Sequence, residues 1–136
     1  MHPPMRQIGT HEFPALLREI PDAPKSLYIQ GSLPDEDLIC LSVIGSRRMS
    51  AYGKRVCEQL IEGLAGYPIA IVSGLALGID SLAHQTALNN DLHTIVIPGS
   101  GIADSAIYPS SNRRFATEIL ERGGCCLLYT SDAADE

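Results

Sequence analysis

The residues able to do chemistry in this chain cluster at the ends of short apolar runs. Gly45-Ser46-Arg47 follows the β-branched run 39–44, which reads as a buried strand, and an amphipathic stretch begins near Ser50. A strand, a tight glycine turn and a helix set main-chain N–H groups beside the strand's carboxyl end, which suits an anion. Arg47 adds a planar, five-donor cation fitted to phosphate. The alternative is an ordinary turn with a solvated arginine. Two further runs end in the same way. Residues 69–73 lead into Gly74-Leu-Ala-Leu-Gly78-Ile-Asp80, and residues 93–97 lead into Pro98-Gly99-Ser100-Gly101. Ser46, Ser73 and Ser100 can each offer a hydroxyl to an anion or cap the following helix.

Other candidates are less specific. Asp80 and His84 are four apart and share a helix face, as an acid–base pair or as an N-cap beside a packed histidine. Capping is the simpler reading. Asn112, Arg113 and Arg114 follow Tyr108-Pro109 and could add a second basic group. Tyr52 and Tyr108 could stack on bases or pack in a core. Lys54 and Arg55 extend the basic surface or form a solvated face.

Stepwise β-loop-α units must position these residues. The helices expected are 50–64, with Val56, Leu60, Ile61 and Leu64 as its apolar stripe, then about 80–89, then 112–122. Three such units imply a parallel sheet with right-handed crossovers, and their glycine corners should meet on one edge. A fourth strand should begin at Cys125. Before residue 37 the chain reads as a lead-in. It holds a short helix after Pro14, with Leu16, Leu17 and Ile20 on one face, and a short strand ending at Gly31.

At 136 residues the chain fits one domain with a real core. Its hydrophobic content of 45% includes no run long enough to span a membrane, and with no apolar segment behind Met1–Arg6 a signal peptide is not expected. Cys40, Cys57, Cys125 and Cys126 show no CxxC spacing, so neither zinc nor a disulfide framework is expected; thiols in a reducing cytoplasm are the default. The net charge of −6 argues weakly against nucleic acid, although the basic residues are clustered.

Taken together, Phe13-Pro-Ala-Leu-Leu17, Leu27-Tyr-Ile-Gln-Gly31, Val43-Ile-Gly-Ser-Arg47, Ser73-Gly-Leu-Ala-Leu-Gly-Ile-Asp80 and Tyr108-Pro-Ser-Ser-Asn112 resemble the DprA/Smf family of DNA-processing proteins. The resemblance implies an α/β, Rossmann-like three-layer fold with a mainly parallel sheet, incomplete at the C-terminus. It implies single-stranded DNA binding, protection of that DNA and loading of the RecA recombinase in natural transformation. Homodimerisation is implied for the full-length family, and catalysis, metal and cofactor are not. Carried over residue by residue, Gly45, Ser46 and Arg47 would contact DNA phosphates. A basic pocket would draw on Asn112 with Arg113 or Arg114. The remaining corner residues, Ser73, Gly74, Gly78, Gly99, Ser100 and Gly101, complete the expected DNA-binding set.

Two departures accompany the resemblance. The loop between Gly101 and Tyr108 is about two residues longer than the family's, and the chain stops before the family's later strands. The expected division is therefore a lead-in at 1–36, a truncated core at 37–125 and a tail at 126–136. That tail resembles an in-frame translation of a sequencing-library adapter. A second reading is a nucleotide-binding sensor or phosphoribohydrolase-type enzyme in the same cleft. Pro98-Gly-Ser-Gly101 lacks the Pro-Gly-Gly-x-Gly-Thr pattern of those enzymes, and Glu118 is distant. A third is a non-functional truncated domain.

Overall fold

The computed structural model describes residues 4–98 and 110–128, with the side chains of 110–113 excepted. In chain order the elements are β1 (Arg6–Gly9), a 3-10 turn (Thr10–Glu12), α1 (Ala15–Arg18), β2 (Ser26–Gly31) and β3 (Ile39–Ser42). They continue with α2 (Ala51–Glu62), β4 (Ile69–Ser73), α3 (Ile79–Asn89), β5 (His93–Val96), α4 (Ser110–Glu121) and β6 (Cys125–Leu128). The six strands form one sheet in the order β1-β2-β6-β5-β4-β3. From β3 to β6 neighbouring strands are parallel, while β2 runs antiparallel to both β6 and β1.

Successive β-α-β units all step the same way across this sheet, so crossovers of one hand put α2, α3 and α4 on a single face. Strand alternation divides the core accordingly. Ile71 meets Cys57 and Ile61 of α2 and Ala83 and Ala87 of α3, whereas Val96 and Cys126 meet Ile119 and Leu120 of α4. On the opposite face Ala70, Ile95, Cys125 and Leu127 pack with Leu27, Ile29 and Phe13, and Leu17, Leu33 and Leu38 lie over them.

Within residues 1–36, β1 and β2 are strands of the same sheet, and Ile8, Leu27 and Ile29 are core. Cys126, Leu127 and Leu128 are buried, and β6, the strand expected from Cys125, pairs with both β5 and β2. Two expectations change. The run 39–44 is a strand but not a buried one. It lies at the sheet edge, where Ile39, Leu41 and Ile44 are 66%, 42% and 75% exposed, because among the described residues only β4 pairs with it. Apolar stripes are also narrower than their spacing suggested. On α2 the buried residues are Cys57 and Ile61 while Leu60 is exposed; Leu16 of α1 and Ile20 just beyond it are exposed, while Leu17 packs.

Candidate nucleic-acid interface

Two of the three glycine corners meet at the carboxyl ends of β3 and β4, and their contacts are specific. Val43 N–H donates to Val72 O (2.9 Å), which extends the pairing past β3. Ser73 Oγ donates to Val43 O at 2.5 Å. The chain then turns at Gly45, whose N–H donates to Asp80 Oδ1; Gly74 N–H donates to Asp80 Oδ2, each at 3.2 Å. Ile79 N–H donates to Ser46 O (3.1 Å). One carboxylate in the first turn of α3 therefore ties both corners together. Its charge also lies where a helix N-terminus favours an anion.

Close approach explains the glycines. A Cβ on Gly45 would lie 2.7 Å from Ile79 Cβ, and one on Gly74 would lie 3.0 Å from Asp80 Oδ2. Gly78, the N-cap of α3, has φ +85°, and a Cβ there would collide with the main chain of Ser46 and Arg47. Leu75 holds φ 62° without being glycine, a strained conformation. It is fully buried beside Leu88, Val96 and Ile119, and that packing offsets the strain.

Residues 44–50 behave in the opposite way and are all exposed. The Ser46 hydroxyl engages both the N–H and the C=O of Arg48 at 3.0 Å, closing a local turn. Ser50 caps α2 by accepting from Gly53 N–H (3.0 Å). Among the described residues, neither the Arg47 guanidinium nor the N–H groups of Ser46 and Arg47 have a partner. Arg48, Lys54, Arg55 and Arg114 are also exposed, and Arg55 lies over the Tyr52 ring at 6.0 Å. Beside Gly78 opens a groove of about 370 Å³ lined by Met49, Lys54, Ser81, Gln85 and Phe115 among others.

His84 has no place on this surface. It is fully buried, with Nδ1 2.6 Å from Thr94 Oγ1, and that hydroxyl donates to Ile71 O (3.1 Å). Because Thr94 spends its proton on Ile71, the His84 proton is assigned to Nδ1. Burial lowers the imidazole pKa to about 4, against the smaller opposing pulls of the Ser73 main chain and of Asp80.

The structure thus sorts the candidate residues. It brings Gly45, Ser46 and Arg47 together with Gly74 and Gly78, and leaves Arg47 open. Ser73 is only 3% exposed, and its hydroxyl is spent on Val43. The Gly45 and Gly74 amides are likewise spent on Asp80. Asp80 is not an N-cap, and the two helices follow Gly78 and Ser50 instead. Arg114 is exposed on α4; Gly99, Ser100, Gly101 and Tyr108, and the side chains of Asn112 and Arg113, lie outside the described residues. Sequence reading missed the bridging role of Asp80, although an acid following two glycine corners was visible.

Against known proteins, residues 5–134 match the family model of DNA recombination-mediator protein A. The chain belongs to that family. It is 34% identical over 123 residues to Protein Smf of Borreliella burgdorferi, covering 90% of this chain and 38% of that protein. It is 41% identical over 107 residues to DNA processing protein DprA of Streptococcus pneumoniae, covering 79% and 37%. Among solved structures, DprA from Streptococcus pneumoniae superposes with a TM-score of 0.78 at 34% identity, covering 90% of this chain and 43% of that one. DNA processing protein A from Helicobacter pylori, studied for its single-stranded DNA binding mode, gives 0.74 at 31% identity, covering 93% and 55%. The chain spans less than two fifths of the length of the curated relatives just named.

Proposed function

We propose that this domain binds the sugar–phosphate backbone of single-stranded DNA at residues 45–48, as part of a recombination mediator. The observation that carries the reading is an exposed, unpartnered Arg47 on a turn whose base is fixed by Asp80. Phosphates meet the guanidinium and the unpartnered N–H groups of Ser46 and Arg47; the inner glycine amides take no part. Arg48, Lys54 and Arg114, with Arg113, supply weaker long-range attraction, and Tyr52 offers a stacking face. Such a site holds backbone charge and reads little sequence.

Family membership supports extending this reading to DNA protection, loading of RecA and homodimerisation in the full-length protein. Fluorescence anisotropy with labelled oligonucleotides tests the core of the proposal. Affinity should rise with oligonucleotide length and be insensitive to mononucleotide competitors. Equal competition by a mononucleotide would favour a free-nucleotide site instead.

A further inference from the structure

We infer that Asp80 is the positioning residue of the phosphate-binding turn, an inference that rests on the proposed DNA-binding function. Its carboxylate is 8% exposed as a residue and accepts one N–H from each corner at 3.2 Å. Those two bonds join chain segments 29 residues apart in sequence, Gly45 and Gly74, through a single side chain. An internal anion at this point does two things. It fills the inner amide pair, so an incoming phosphate is held to the outer N–H groups of Ser46 and Arg47. It also fixes where the turn leaves β3, so that the exposed Arg47 is presented from a set backbone and not from a loose loop. The Ile79 N–H to Ser46 O bond, the close fit of Gly45 on Ile79 and the approach of Gly78 to Ser46 and Arg47 give that fixed turn its seat. Asp80 touches no ligand in this scheme; it acts through the turn.

The test is a double-mutant cycle on single-stranded DNA affinity. Asp80→Asn keeps the side-chain shape but sets an amide N–H against a main-chain N–H, and affinity should fall about tenfold. In the Asp80→Asn/Arg47→Ala double variant the two losses should overlap, leaving affinity close to that of Arg47→Ala alone. Leu27→Ala, in the core of the far face, should lower stability without changing affinity. If Asp80→Asn does not fold, Gly74→Ala gives a milder version, since its Cβ presses on Asp80 Oδ2; it should weaken binding less, again without adding to Arg47→Ala. Additive losses in the cycle, or unchanged affinity in a folded Asp80→Asn variant, would overturn the inference. Amide resonances of Gly45 and Gly74 that fail to move on Asp80→Asn would do so too. That spectroscopic arm needs no DNA, so it separates failure of this inference from failure of the DNA-binding function, which would show as absent binding by the unmodified protein.

Discussion

The corner after β4 and the corner after β3 share a glycine-rich composition but divide the labour. In residues 73–80 the polar and packing groups that hold the corner face inward: Ser73, Leu75 and Asp80 are buried, and hydrogen bonds or packing engage them, while Leu77 is exposed. In residues 45–48 every side chain faces water, and the cation in the middle is unpaired among the described residues. The difference shows that glycine has two uses at such corners. At Gly74 and Gly78 it lets one loop lie against another; at Gly45 it lets the outer turn sit on Ile79. Substitutions in the inner corner should therefore cost stability, reaching binding only where they disturb the Asp80 tether, and those in the outer corner should cost binding.

The largest loss should come from Gly78→Ala. Positive φ and a Cβ driven into the Ser46–Arg47 main chain should destabilise the fold by roughly 3 kcal/mol or more in urea denaturation. A change below about 1 kcal/mol would break the claim that the corners are seated on each other. Leu75→Ala follows, at about 2–4 kcal/mol for a fully buried leucine, with single-stranded DNA affinity retained in the folded fraction.

The next effect is one of pH. His84 is neutral in the folded protein because its pKa falls from 6.5 to about 4, while the unfolded chain takes up a proton below 6.5. Stability is therefore full above pH 6.5 and declines as the pH drops toward 4, by about 3 kcal/mol over the window. In denaturation at several pH values, His84→Gln should show a flatter decline; a slope identical to the unmodified protein would remove His84 as the cause. Ser50→Ala, which uncaps α2 beside the outer turn, should cost only about 1 kcal/mol in thermal unfolding.

Much of this arrangement was legible in the sequence wherever the signal is local. The elements β3, α2, β4, α3, β5 and α4 follow from apolar runs, glycine stops and helical spacing, with boundaries within a few residues. The outer turn was recognisable from Gly45-Ser46-Arg47 alone. What was not legible depends on distant partners. The run 39–44 has the composition of a central strand, yet composition cannot say which strands flank it, and here one side has none among the described residues. β1 has only Ile8 as a buried apolar residue, too little for a period to register. The antiparallel pairing of β2 with β6 joins residues nearly a hundred apart, so local pattern could suggest the strands ending at Gly31 and beginning at Cys125 but not that they lie side by side. Asp80 looked like a cap because capping is the local use of an acid at a helix start; its real partners lie in two other loops.

The decisive measurement is single-stranded DNA affinity of Arg47→Ala across a range of salt concentrations, beside its stability. Stability should stay within about 0.5 kcal/mol of the unmodified protein, while binding weakens clearly and its salt dependence becomes shallower by about one unit. Unchanged affinity and salt slope in a folded Arg47→Ala protein would contradict phosphate binding by Arg47.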